Sequence, residues 1–126
     1  MNDTRTLITD YLRTLSGQPK TPELVARYVA HEGLAKHIAD VEAAFPSYEI
    51  LIEDLLAEGD KVVVRAEFRG THRGSFAGIE ATGKSVSAGL IIIYAIANGR
   101  IVDYWMQFDA ATLMQQLQTA SAVQAA

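Results

Sequence analysis

Cysteine is absent from this 126-residue chain, which excludes disulfide frameworks, thiolate zinc sites, iron–sulfur clusters and cysteine nucleophiles. A reducing compartment suits such a chain. The polar start Met1-Asn2-Asp3-Thr4-Arg5-Thr6 also lacks the charged-then-apolar pattern of a signal peptide, so a cytoplasmic location is expected. Cations are in the minority, 11 Lys and Arg against 15 Asp and Glu, and the net charge of -4 offers no positive field to a phosphate backbone or an anionic bilayer. Neither nucleic acid nor a membrane is therefore an expected partner. The longest apolar run, Ala88 to Ala97, falls far short of the ~20 residues a membrane helix needs. His31, His37 and His72 follow no HxH or HExxH spacing, so no metal is expected. There is no GxSxG nucleophile turn. The glycines at 70, 74, 78 and 83 do not open a helix after a strand, as a phosphate cradle requires.

What remains is a chain with 49% hydrophobic residues, enough for one globular domain over 1–126 with a small polar tail from Thr119 to Ala126 expected to fray. Leu7, Tyr11, Leu12 and Leu15 recur at helical spacing, and Ser16-Gly17 ends that helix. Thr21-Pro22-Glu23 starts a second helix with a capping hydroxyl and a proline at its first position. Leu34, Ile38, Val41 and Phe45 form the stripe of a third, stopped by Pro46. The period then falls to two. The segments 48–57, 60–69, 85–97 and 100–108 read as antiparallel strands, the last two joined by the hairpin pair Asn98-Gly99, and a closing helix carries Leu113, Met114 and Leu117. Helices followed by strands joined by short turns predict an α+β fold: three helices on one face of a curved antiparallel sheet that encloses a conical pocket. Leu90 to Tyr94 leave neither face of the third strand polar, which predicts a homodimer built on the sheet's outer face.

Ala43-Ala44-Phe45-Pro46, Ala57-Glu58-Gly59-Asp60-Lys61-Val62-Val63-Val64-Arg65, the run Gly70-Thr71-His72-Arg73-Gly74-Ser75-Phe76-Ala77-Gly78-Ile79 and Thr82-Gly83-Lys84 stand in an order and spacing that resemble the SnoaL-like polyketide cyclase family. Asn98 through Trp105, then Asp109 and Leu113 to Leu117, continue the resemblance, which covers roughly His31 to Leu117. It implies a nuclear transport factor 2-like cone, commonly homodimeric, with a small-molecule cavity between helices and sheet. It also implies acid/base chemistry on a largely apolar carbonyl compound, a cyclisation or isomerisation that needs no cofactor. Asp109 matches the position of the family's acid/base aspartate. Tyr104 departs from the pattern, since many relatives carry His there, as does Glu80-Ala81, where a proline pair is usual.

Strict alternation puts Asp103, Trp105, Gln107 and Asp109 on one strand face, a mixture suited to a pocket wall. Asp109 has two readings: a catalytic carboxyl whose pKa a cavity would raise, or the N-cap of the last helix. His37, at the edge of the third helix's stripe, points either into the pocket or along its boundary. His72 lies in the glycine-rich arm, where it contacts a ligand or holds the turn. Tyr48, Tyr11, Tyr28 and Trp105 supply phenol donors and stacking surface, or plain core. The expected substrate-contacting set is His37, Tyr48, His72, Trp105 and Gln107, with Asp109 as the catalytic residue. The alternative is a non-catalytic homodimeric module that binds a small molecule or a protein with the same fold.

Overall fold

The computed structural model describes residues 3–125, with side chains for residues 4–118; the tail expected to fray, 119–126, lies beyond those side chains. Helices α1 (Asp3–Leu15), α2 (Pro22–Ala26) and α3 (Glu32–Ala44) come first. Strands β1 (Glu49–Glu58), β2 (Lys61–Thr71), β3 (Ser85–Ala97) and β4 (Arg100–Phe108) follow, and α4 (Ala110–Ala125) closes the chain. The strands form one antiparallel meander in the order β1-β2-β3-β4, with α1 and α3 over its concave face. The α+β plan read from the periodicity is the architecture found. Among the described residues no helix is long and apolar enough to cross a membrane.

Each helix forms where its apolar side meets the core. In α1 the buried Ile8, Tyr11, Leu12 and Leu15 recur at three- and four-residue spacing, and Gly17, at φ 74°, turns the chain away. Thr21 Oγ1 accepts the Leu24 N–H at 3.2 Å to start α2. His31 does the same for α3: its Nδ1 accepts the Leu34 N–H at 3.0 Å, so this histidine is a helix cap. Burying one Leu, Ile or Phe side chain contributes about 1.5–3 kcal/mol, so the stripes Leu34–Ile38 and Ile8–Leu15 hold the helices down far more strongly than their propensities do.

The sheet's inner face is built by parity. Val62, Val64, Ala66 and Phe68 of β2 and Val86, Ala88, Leu90, Ile92 and Tyr94 of β3 are buried. Register then carries that parity into β4, because Leu90 pairs with Phe108, Ile92 with Met106 and Tyr94 with Tyr104. The pairing is set at the Asn98-Gly99 turn, where φ is 53° and 75°, the two positive values of a type I′ hairpin. On the outer face Leu56, Val63, Ile93 and Trp105 lie opposite one another in one row across all four strands.

Between β2 and β3 the glycine-rich arm folds back on α3. Arg73 and Gly74 both donate their backbone N–H to Ala44 O, at 2.9 and 3.1 Å. A Cβ on Gly74 would lie 2.2 Å from Ala43 O, so this contact admits no side chain. The sheet's flanks are also tied. On β1, Ser16 Oγ both accepts the Ile50 N–H (2.9 Å) and donates to Ile50 O (3.0 Å), and a register shift interrupts the strand between Ile52 and Asp54. On β4, Ile101 donates to Tyr28 O (2.7 Å) and accepts from Ala30 N–H (2.8 Å).

Candidate active site

Between α1, α3 and the concave sheet lies a cavity of about 140 Å³. Among the described residues its walls are apolar except at four side chains, Tyr11 from α1, His37 from α3, Tyr48 just before β1, and Tyr94 from β3. Four phenylalanine rings, Phe45, Phe68, Phe76 and Phe108, line it as well. The cavity exists because α3 presents large residues at Leu34, Ile38, Val41 and Phe45, and these meet the inner sheet residues over rings too wide to interdigitate completely.

The three phenols are close enough to repel one another as phenolates. Tyr11 and Tyr94 meet edge to face, with ring centroids 5.7 Å apart. Burial first, then their mutual repulsion, pushes Tyr48 and Tyr94 well above the usual tyrosine range. Burial also raises Tyr11, partly offset by its contact with Tyr94. All three hydroxyls therefore stay protonated through neutral pH, that of Tyr94 donating to Tyr11 and those of Tyr11 and Tyr48 left to donate into the cavity. His37 is half-buried, and loss of hydration lowers its pKa below the ordinary 6.5, the nearby Asp40 opposing the shift. At neutral pH it is a neutral imidazole with a free lone pair to take a proton.

Tyr48 is held from behind. Lys20 Nζ lies 4.1 Å from the centre of the Tyr48 ring and donates to Tyr48 O at 2.7 Å and Gln18 O at 2.9 Å. Glu42 Oε1 stands 3.5 Å from the same ammonium, while Glu42 Oε2 accepts the Ser47 N–H at 3.0 Å. The loop between α1 and α2, the end of α3 and the start of β1 thus meet at one buried cation.

Of the residues singled out from the sequence, Tyr11, His37 and Tyr48 line this cavity. His72 is fully buried but stands behind the wall. Its ring lies against Phe45 at 5.4 Å, and its Nδ1 faces Thr82, accepting the Thr82 N–H at 3.2 Å and lying 3.0 Å from Thr82 Oγ1. Its Nε2 has no hydrogen-bond partner among the described residues. Trp105, Gln107 and Asp109 are not on the cavity at all, and the expected wall of Asp103, Trp105, Gln107 and Asp109 is corrected here. Tyr104, Met106 and Phe108 carry the inward parity of β4, because they pair with the buried Tyr94, Ile92 and Leu90. Trp105 is 49% exposed on the outer face, and Gln107 and Asp109 border an open groove there with Glu53 and Arg65.

Asp109 is the N-cap of α4. Its Oδ1 accepts the Thr112 N–H at 3.1 Å and its Oδ2 accepts the Thr112 hydroxyl at 2.6 Å, and these bonds hold its carboxyl below the usual aspartate range. A carboxyl kept ionised and exposed is poorly placed to hand over protons near neutrality. Asp109→Ala should lower the Tm by a few degrees, whereas Asp109→Asn should retain any turnover the protein has. Thermal melts and a rate assay on the two variants check this, and an Asn variant that folds but loses turnover would return the acid/base role to Asp109. The lowered pKa also sets a direction: the cap contributes its full stability above the unfolded aspartate range and loses it as pH falls through the folded value.

Sequence reasoning missed Tyr94 and the four phenylalanines as cavity lining. Their signal was present in the inward alternation of β2 and β4, Phe68 and Phe108 falling on it, but in β3 both faces are apolar and hide which one turns inward.

A family model described as SnoaL-like polyketide cyclase matches residues 11–117. Among solved structures, TsrD from Streptomyces laurentii is 26% identical with a TM-score of 0.76, over 92% of this chain and 95% of that one. A protein of Acidithiobacillus ferrooxidans provisionally described as a polyketide cyclase is 23% identical, TM-score 0.81, over 94% and 96% of the two chains. AclR from Streptomyces galilaeus, provisionally described as a hydroxylase, is 19% identical, TM-score 0.79, over 99% and 91%. No curated protein matches the chain.

Proposed function

The chain belongs to the SnoaL-like polyketide cyclase family, and from that membership we propose that it is a small-molecule enzyme that moves a proton on a largely apolar carbonyl compound, in a cyclisation or an isomerisation. The observation that carries this reading is the cavity's polar inventory: one neutral imidazole and three protonated phenols in an otherwise apolar lining. His37 removes a proton from the carbon beside the carbonyl and becomes an imidazolium, and the C–H electron pair moves to give an enolate. Tyr11 and Tyr48 are available to donate to the enolate oxygen, Tyr94 donating to Tyr11 from behind, in a site whose low polarity strengthens each such bond. In an isomerisation the imidazolium returns the proton to carbon. In a cyclisation the enolate carbon attacks a second carbonyl, a C–C bond forms, and the new alkoxide takes the proton back from His37. No step calls for a cofactor.

The test is hydrogen–deuterium exchange of the methyl protons of acetophenone in D₂O, followed by NMR. Exchange faster than in buffer is expected, and Tyr48→Phe should slow it about tenfold or more by removing one donor. Exchange at the buffer rate at saturating ketone would overturn the reading. That result would favour the non-catalytic ligand-binding module, the alternative supported by the commitment of Asp109 to its helix cap. We also propose that a second copy of the chain covers the outer row Leu56, Val63, Ile93 and Trp105, since Leu56 at 68% and Trp105 at 49% exposure leave apolar area in water. Light scattering should report a dimer at micromolar concentration, and a monomer throughout that range would count against it.

A further inference from the structure

Resting on the carbonyl-enzyme reading, we infer that the cavity selects a neutral compound with a single ring and a carbonyl acceptor, and excludes both carboxylates and fused polycycles. Size is the first argument. The cavity measures about 140 Å³, and an engineered apolar cavity of roughly 150 Å³ is one that admits benzene. A fused three-ring skeleton needs far more room than one ring.

Stiffness is the second argument, because a small cavity excludes large ligands only if its walls hold. Phe45 packs edge to face on Phe68 (5.2 Å, 86°) and on Phe76 (5.3 Å, 65°), and Phe68 packs in the same way on Phe108 (5.8 Å, 90°). Widening the cavity on this side moves several interlocked rings together and gives up several edge-to-face contacts. Behind Phe45, the contact of Gly74 with Ala43 O and the two N–H bonds to Ala44 O hold the end of α3 against the arm.

Charge is the third. Among the described residues no Lys or Arg lines the cavity, and Lys20, the buried cation nearby, is already shared among Tyr48 O, Gln18 O and Glu42. A carboxylate entering would lose its hydration and meet no cation, a heavy cost. Tyr11 and Tyr48 offer donors without charge, so the partner they fit is a neutral acceptor such as a ketone oxygen.

Isothermal titration of the full chain with acetophenone, benzoate and fluorenone tests the size and charge limits separately. Acetophenone is expected to bind with Kd of about 0.1–1 mM, the range for a ligand of its size. Benzoate and fluorenone should each bind at least about tenfold more weakly. Val41→Phe and Ile50→Phe each fill the cavity from a half-buried wall position, so at least one should fold, judged by circular dichroism, and that variant should lose acetophenone binding. Fluorenone binding as tightly as acetophenone would overturn the size limit, and benzoate binding as tightly would overturn the charge limit. Acetophenone bound undiminished by folded filled variants, or not bound at all by the parent, would overturn the site. The two readings fail apart from each other: binding in the expected order without methyl exchange removes only the catalytic reading, while exchange on ketones of any size removes only this one.

Discussion

Replacing His37 by Gln is expected to slow ketone exchange by at least about a hundredfold, the low end of what a positioned acid/base group contributes. Glutamine is similar in length and polar at its end, so the half-buried place on α3 stays filled, but an amide does not take up a proton near neutrality. The pH profile separates this role from a structural one. A base works in its neutral form, and burial lowers the pKa of His37 below 6.5. The parent's kcat/KM should therefore be level at neutral pH and fall only as pH drops through that lowered value. The same shift contributes to folding: the neutral histidine is favoured in the folded state, so its contribution is present above the unfolded pKa and is lost as pH falls through the folded one. In the Gln variant the acid limb in rate should vanish together with most of the rate. A variant that keeps the parent's rate and its acid limb would remove His37 from the chemistry.

Lys20→Met should produce the largest loss of stability, about 3–5 kcal/mol, the usual cost of removing one partner of a buried charge pair. The side chain of Lys20 is 2% exposed and that of Glu42 19%. Burial lowers the Lys20 pKa and the facing Glu42 opposes that shift, so the ammonium is held by its partners against the cost of desolvation. Methionine fills the space but leaves the Glu42 carboxylate without its cation and two backbone carbonyls without a donor. Chemical denaturation should show a lower midpoint with an unchanged slope. A double variant, Lys20→Met with Glu42→Gln, should recover part of the loss because the orphaned charge is gone. A single variant as stable as the parent would mean that the pair contributes nothing net.

The fold was legible because its elements differ in period. Ile8 to Leu15 and Leu34 to Phe45 repeat near 3.6 and β2 repeats at two, with Pro22, Pro46 and the Asn98-Gly99 pair marking boundaries. The cavity was only half legible. Tyr11, His37 and Tyr48 could be picked out, His37 because it stands beside the apolar stripe of α3. The error in β4 has a specific cause: alternation groups Trp105 with Gln107 and Asp109, but it does not say which group faces inward. The mixed group looked like a site by its chemistry. Pairing with Tyr94, Ile92 and Leu90 decides the matter, and β3 hides the decision because both of its faces are apolar. The buried Lys20 carried no sequence signal, since a lysine before a capping threonine reads as a solvated loop residue.

The ties along the sheet's flanks bear on how the protein avoids sticking to itself. An open meander has two edge strands, each a template for a strand from another molecule. On β1 the Ser16 hydroxyl occupies both the N–H and the carbonyl of Ile50, and the irregularity near Glu53 breaks the straight run beyond it. On β4 the backbone of residues 28–30 occupies both groups of Ile101, and Asp103 Oδ1 takes up the Tyr104 N–H at 2.8 Å. An incoming strand therefore finds ladder positions on either edge already filled, so edge-to-edge pairing with another molecule is disfavoured there by a serine, an aspartate and the α2–α3 connection.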